Sequence, residues 1–338
     1  MKNQPEGETQ FFYDLTPERI LEAVEALGFE CTGRCLALNS MENRVYEVEV
    51  EVDSDKIKSP SERFRIVKFY RPGRWSREQI EQEHQFLFDL VENEIPVVAP
   101  LKLESGMSVH TESGTGIFFA VFPKKGGRTP DEFNDQQLEQ VGRLLARMHG
   151  TGAAKDAPDR LRINPETYGI QNLEYLLTHN FLLPEIKAEY ELTVREICKE
   201  STPLFNGVKT HRIHGDCHLG NLIWSDSGPF WVDFDDMLVG PGIQDIWLVV
   251  PGRDQESQLR RDILIDAYEQ MFEFDHRSLK LIEPLRALRF IHFSAWIARR
   301  WEDPAFKRTF IDFNSSRYWH EQLFDLKEQL KLIQSLAN

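Results

Sequence analysis

The spacing of apolar positions changes once along the chain, near residue 130, from mostly two-residue alternation to a helical period. An opening helix precedes the alternating part. Thr16-Pro17-Glu18 supplies a cap residue, a proline for the first turn and an early acid, Ile20, Leu21, Val24 and Leu27 form one face, and Gly28 ends it. LALNSMENRVYEVEV then reads as two strands around a polar break at Asn39–Asn43, with Val45, Tyr46, Val48 and Val50 in the second. A polar loop over 53–63 leads to FRIVKFYRP, another alternating strand with Lys68 near its centre. Ser76 and Gln79 form a capping-box pattern for a helix whose apolar face is Ile80, Leu87, Leu90 and Val91. Further strands are expected at Ile95–Pro100 and Ile117–Phe122, with a turn at Ser113–Gly116 before the latter. Pro123–Arg128 interrupts the pattern and reads as a crossover between two lobes.

From Asp135 the period is helical: Leu138, Val141, Leu144, Leu145 and Met148 share a stripe that closes at His149-Gly150, where His149 reads as structural. Residues 153–212 are polar, with helices near 170–180 and 184–200. Leu222–Trp224, a turn at Ser225–Gly228 and Phe230–Val232 form a hairpin that brings Asn221 and Asp233 to one edge. The last hundred residues alternate helices and short loops. One of them, EPLRALRFIHFSAWIARRW, carries Arg286, Arg289, Arg299 and Arg300, which read either as a solvated basic face or as a receiver for an acidic substrate.

At 338 residues, 41% apolar and with 23 Phe, the chain can build two lobes around sizeable cores. Fifty-five acids against 40 bases leave a charge of −15, which argues against nucleic acid and anionic membrane as partners. The N-terminal residues MKNQPEGETQFFYDL lack a basic start and an apolar core, and no apolar run approaches 18 residues, so a cytoplasmic protein is expected. Cys31, Cys35, Cys198 and Cys217 are too few and scattered for a disulfide framework, and Cys31 and Cys35 lack a second pair or a nearby His to complete a metal site. Cys217 reads as a small loop side chain, with oxidation sensitivity as the alternative.

Chemistry concentrates at IHGDCHLGNLIWSDSGPFWVDFDD, residues 213–236. His214-Gly215-Asp216, four residues and Asn221 match the spacing of the kinase catalytic loop H-R-D-x-x-x-x-N, and Asp233 stands twelve residues further on. Phosphoryl transfer needs a carboxylate for the acceptor hydroxyl and hard oxygen ligands for Mg²⁺. Asp216 fits the first role, Asn221 and Asp233 the second. Upstream, Glu83 falls on the apolar face of its helix and so requires a partner; Lys68 is the natural one, another base the alternative.

HGDCHLGN followed by VDFDD resembles the kinase-like phosphotransferase superfamily, in the branch of aminoglycoside, choline and homoserine kinases. SMENRVYEVEV, RIVKFYRPGRW, EHQFLFDL, FFAVFPKKGGR and EPLRALRF are similar to the bacterial stress-response kinase family over nearly the whole chain. The resemblance implies an α+β, bilobal, protein-kinase-like fold: an N-lobe over 1–122 with an antiparallel sheet and a helix, a hinge at 123–128, and a largely helical C-lobe over 129–338. It implies ATP bound between the lobes, with adenine against the backbone near Phe122, Lys68 paired with Glu83 and gripping the phosphates, and Mg²⁺ on Asn221 and Asp233. The β-hairpin over the phosphates has no glycine here, which leaves Ser40 and the turn amides as its phosphate contacts. Asp245 is expected to cap a helix and brace the catalytic loop from behind. Asp235 and Asp236 shape either the metal site or the acceptor pocket.

The family implies a serine/threonine protein kinase of the stress response that acts on protein hydroxyls, its own included, and a monomer is expected. Only twelve residues separate Asp233 from Asp245, no A-P-E follows, and Gly215 replaces the arginine of H-R-D, so control by a phosphorylated activation loop is not expected. A kinase of small amino alcohols, sugars or antibiotics is the alternative. A nucleotide-sensing pseudokinase is a second, disfavoured by the presence of Lys68, Glu83, Asp216, Asn221 and Asp233.

Overall fold

The structure, a computed structural model, describes residues 12, 14–53, 55, 57, 59–103, 106–226 and 228–336. Most of the N-terminal stretch, parts of the 53–63 loop, and Ser227 of the hairpin turn lie outside the described residues. The chain forms two compact units, one of Met1–Asp131 with Leu219–Asp235, the other of Glu132–His218 with Asp236–Asn338.

The first unit is built on a five-stranded antiparallel sheet in the order β1-β2-β3-β5-β4, from β1 (Cys31–Leu38), β2 (Arg44–Val50), β3 (Phe64–Phe69), β4 (His110–Thr111) and β5 (Phe118–Pro123). In β3, Lys68 lies opposite Val45 on one side and Ala120 on the other, which fixes its register at the sheet centre. Helix α1 (Pro17–Glu25) is capped by Thr16, whose hydroxyl accepts from the Arg19 amide, and it buries Ile20 and Val24 against Val48, Val67, Phe69 and Phe119. Each such burial contributes roughly 1.5–3 kcal/mol. Helix α2 (Arg77–Glu92) begins with the expected reciprocal bonds between Ser76 and Gln79 and buries Ile80, Leu87 and Leu90, whereas Val91 is half exposed.

The expected strand at Ile95–Pro100 does not form; only Val97 makes a bridge, to Trp231. Prolines at both ends remove the amide donors a ladder would need. Arg128 exchanges two backbone hydrogen bonds with Trp224, 2.9 and 2.8 Å, which ties the end of this stretch to the hairpin β7 (Leu222–Ser225) and β8 (Gly228–Trp231). The hairpin is therefore part of the first unit.

The second unit is largely helical. Helix α3 (Asp135–Ala153) starts on an Asn134/Gln137 capping box and runs past His149-Gly150, where the sequence placed its end. A π-helical turn over Pro165–Ile170 precedes α4 (Gln171–Thr178), and α5 (Pro184–Ser201) follows; the first of these lies earlier than expected because Asn164 caps the π turn. The small ladder of β6 (His211–Ile213) and β9 (Leu238–Gly240) carries the loop that contains Asp216. The remaining helices are α6 (Ile243–Val249), α7 (Gln255–Glu269), α8 (Ile282–Arg299), α9 (Pro304–Thr309) and α10 (Ser316–Leu336). Among the described residues, no helix is long and apolar enough to cross a membrane.

Candidate active site

The candidate site residues form two groups of side chains, one in each unit. In the first unit, Lys68 points its ammonium at three carboxylates: Asp235 Oδ1 at 3.0 Å, Asp233 Oδ1 at 3.2 Å and Glu83 Oε1 at 4.0 Å. The expected Lys68–Glu83 pair is thus present, but it is the longest of the three. Glu83 is buried on α2, and Phe234, beside both aspartates, packs its ring edge-on against Phe86 one turn further along, 5.9 Å between centroids. Burial alone pushes the Lys68 ammonium toward deprotonation; Asp235, Asp233 and Glu83 together outweigh it and hold its pKa well above the ordinary value. Lys68 is therefore a fixed positive charge at the sheet centre.

Asp233 ends the hairpin. Its φ of +60° lies in the left-handed region, which aspartate enters more readily than bulkier residues. At the other end of the same hairpin, Asn221 accepts a backbone bond from Val232, 3.0 Å, so Asn221 and Asp233 flank one rung. The Asp233 side chain is 57% exposed, that of Asp235 only 4%. Among the described residues no cluster of three His, Cys, Asp or Glu has metal-holding geometry. An amide oxygen and one accessible carboxylate nevertheless suit Mg²⁺, which is commonly held by one or two carboxylates with substrate phosphates filling its other positions.

Ser40 lies in the turn between β1 and β2, half-buried, and Phe122 lies in β5 with its backbone opposite Ile66 and its ring edge-on to His84. A surface cavity of this unit, about 320 Å³ and lined by Glu22, Arg77, His110 and Phe119 among others, contains none of Ser40, Lys68, Glu83 or Phe122.

In the second unit, Asp216 receives the Arg289 guanidinium at Oδ1, 2.8 Å, and stands 3.3 Å at Oδ2 from His218 Nε2. Burial pushes its carboxyl up; the hydrogen bond with His218 and the charge of Arg289 outweigh it and hold it below the usual carboxylate range. The loop is fixed from behind by Asp245, which accepts from the His214 amide at 2.9 Å and the Gly215 amide at 2.8 Å. Asp245 lies inside the first turn of α6, where Gly242 is the cap residue, so it braces the loop but does not cap the helix. His149 Nε2 lies 3.0 Å from Asp245, and its other ring nitrogen lies 3.0 Å from the Tyr268 hydroxyl, a structural role as expected. Gly215 has φ +86°, and a Cβ there would meet the Asp236 carbonyl oxygen at 2.4 Å. No side chain fits where the kinase pattern has its arginine.

The four arginines on and just after α8 do not form a solvated face. Arg289 holds Asp216, Arg286 donates to the Pro251 carbonyl, Arg299 donates to Asn172, and Arg300 is buried, donating to the Trp296 carbonyl. Cys217 is fully buried and its thiol is pushed well above the ordinary value, first by burial and then by Asp245, which removes the thiolate that oxidation needs.

The model of the phosphotransferase enzyme family matches residues 36–282. The chain belongs to that family. Stress response kinase A of Escherichia coli O157:H7 is 39% identical over 331 residues, covering 96% of this chain and 95% of the relative. A relative from Salmonella typhimurium named serine/threonine protein kinase RdoA is 38% identical over 323 residues, covering 95% and 94%. Amicoumacin kinase hAmiN, solved with AMP-PNP, Ca²⁺ and its ligand Ami, matches in fold with a TM-score of 0.68 at 20% identity, over 92% of this chain and 95% of the other. The phosphotransferase is thus a kinase, with an α+β, bilobal, protein-kinase-like fold.

Sequence reasoning about this phosphotransferase missed Asn43, Arg71, Arg74 and His218, and it left Asp235 undivided between the metal site and the acceptor pocket. A signal for two of them was present. In Arg71-Pro72-Gly73-Arg74, proline and glycine at the centre mark a tight turn that returns two arginines to one side.

Proposed function

We propose that the chain is an ATP- and Mg²⁺-dependent protein kinase acting on serine and threonine hydroxyls. The observation that carries this reading is Lys68, a buried ammonium held 3.2 Å from an accessible aspartate, Asp233, that directly follows the residue whose amide bonds the Asn221 carbonyl. Such a set can grip nucleotide phosphates and hold a hard cation. Lys68 and the Ser40 turn bind the phosphates, the backbone near Phe122 meets the adenine, and Glu83 steadies Lys68. Asn221 and Asp233 hold Mg²⁺, which when bound neutralises charge on the transferred phosphoryl group.

Asp216 orients the acceptor hydroxyl. Its carboxylate stays ionised at neutral pH and is a weak base, which suits a loose transition state in which the hydroxyl loses its proton late. The acceptor oxygen bonds to the γ-phosphorus, the bond to the β–γ bridging oxygen breaks, ADP leaves with that electron pair, and the acceptor proton passes to Asp216. Arg289 beside Asp216 repels an ammonium-bearing acceptor, which supports a protein hydroxyl over an amino alcohol; the curated name of the Salmonella relative points the same way. The fold likeness to amicoumacin kinase hAmiN keeps a small-molecule acceptor as the second reading.

The test is transfer of labelled γ-phosphate from Mg·ATP by the purified protein alone, with a generic protein acceptor, and with a pool of small amines and sugar alcohols. Label on seryl or threonyl groups, abolished in Asp216→Ala and Asp233→Ala, is expected. Label confined to a small molecule would move the chain to the second reading, and near-normal transfer by either variant would refute the residue roles.

A further inference from the structure

Kinases that cover ATP phosphates with a glycine-rich loop use backbone that approaches closely because it lacks side chains. Here the corresponding turn, Asn39–Asn43, has no glycine. Resting on the function proposed above, we propose that this turn is held as a phosphate-binding element by a strut of side chains, Asn43, Arg71 and Arg74, anchored on Asp235, and that Asp235 is a positioning residue and not a metal ligand.

The strut begins at the Arg71–Arg74 turn, where the Arg74 amide bonds the Arg71 carbonyl at 3.3 Å and Gly73 takes φ +75° at the third position, as a type II turn requires. The turn directs both guanidiniums at the β1–β2 connection. Arg71 Nε donates to the Glu42 carbonyl at 2.9 Å and lies 3.1 Å from the Glu42 carboxylate, while Arg74 Nε lies 3.7 Å from that same oxygen. Asn43 joins the two sides, its Oδ1 accepting from the Arg71 amide at 3.1 Å and its Nδ2 donating to Asp235 Oδ2 at 3.2 Å. Arg74 also donates to Asp235 Oδ2, and Asp235 Oδ1 faces Lys68 at 3.0 Å.

Two consequences follow for the nucleotide. Because the Glu42 carbonyl is turned to Arg71, the planar trans peptide turns the Asn43 amide to the opposite side, set in place before a phosphate arrives. Both Asp235 oxygens face cations or an amide of the protein, and the carboxylate is almost wholly buried. Asp233, two residues earlier and more than half exposed, is the carboxylate open to a cation. The phosphate site thus relies on side-chain ion pairs where other kinases rely on glycine.

The test uses the full chain with Arg74→Gln, Arg74→Lys, Asn43→Ala, Asp235→Asn and, for contrast, Asp233→Asn. Hydrogen exchange of amides 40–44 without nucleotide, the Kd of AMP-PNP, and the Mg²⁺ concentration for half-maximal activity are measured for each, with a melt as the folding control. Arg74→Gln and Asn43→Ala should speed exchange in the turn and weaken AMP-PNP by about tenfold, as expected for losing a hydrogen bond to a charged group, and Arg74→Lys should recover part of that loss. Asp235→Asn should behave as Arg74→Gln does and leave the Mg²⁺ requirement near that of the parent, while Asp233→Asn raises it. The proposal is overturned if Asp235→Asn raises the Mg²⁺ requirement as far as Asp233→Asn, or if Arg74→Gln melts normally and leaves turn exchange and AMP-PNP affinity unchanged. A parent protein that binds no AMP-PNP would sink the kinase reading instead, and the exchange data would still decide whether the strut holds the turn.

Discussion

Two loops in this molecule do comparable jobs by opposite means. The loop of His214–Asp216 is held through its backbone, two amides bonded to the single buried carboxylate of Asp245. The turn of Asn39–Asn43 is held through side chains, with the Arg71 guanidinium on the Glu42 carbonyl and Asn43 and Arg74 on Asp235. A loop fixed through its backbone leans mainly on one acid elsewhere, with the Gln244 side chain donating to the Gly215 carbonyl as a second support. A turn fixed by side chains distributes that dependence, so each single loss should be milder.

The largest test of this contrast is Asp245→Ala. It removes the acceptor of two buried amides and the partner of His149, and breaking a buried pair of this kind costs about 3–5 kcal/mol. A denaturant melt should show the second unit destabilised by that order, with transfer lost. A loss below about 1 kcal/mol, the size of an ordinary surface change, would mean that the loop is held by something other than its amides. Gly215→Ala comes next. The left-handed φ and the approach of the Asp236 carbonyl force a backbone shift, costing roughly 1–3 kcal/mol. Activity should fall further than stability because Asp216 is the neighbouring residue; equal melting and equal kcat would show that the close approach relaxes freely.

The smallest effect is a pH dependence behind the same loop. His211 packs against His149, ring centroids 4.9 Å apart, and burial, then His149, lowers its pKa to about 3. A base held neutral in the fold stabilises it fully above its unfolded value of 6.5, and that contribution is lost as pH falls from there toward 3. Stability of the second unit should therefore decline on acidification below about pH 6.5, by at most about 1.4 kcal/mol per unit from this group. His211→Gln should flatten that slope, read from melts at pH 7, 6 and 5. An unchanged slope would assign the acid sensitivity to other groups.

The same contrast explains what the sequence revealed. The candidate phosphoryl-transfer residues stood out because Asp216, Asn221 and Asp233 lie at fixed spacing along the chain. The strand that carries Lys68, the Ser76 capping box and the hairpin were legible because period and turn residues are local signals. The strut was not, because Asn43, Arg74 and Asp235 come from three distant segments and only folding brings them together. Glu83 shows the intermediate case: its helical face announced a buried partner for Lys68, but two aspartates closer to that ammonium could not be ranked from spacing alone. The strand expected at Ile95–Pro100 failed for want of amides, and α3 overran His149 because nothing at Gly150 stops a helix whose next turn is still packed.

The hairpin of Leu219–Asp235 has a further consequence for how the protein comes into being. It belongs to the unit whose other part ends at Asp131, yet it is made almost ninety residues later. A nascent chain that has emerged only as far as Asp131 carries Lys68 on its central strand without Asp233 and Asp235, leaving Glu83 alone to offset a buried ammonium. On the ribosome the first unit must therefore wait, incomplete in charge, until nearly half of the second has been made.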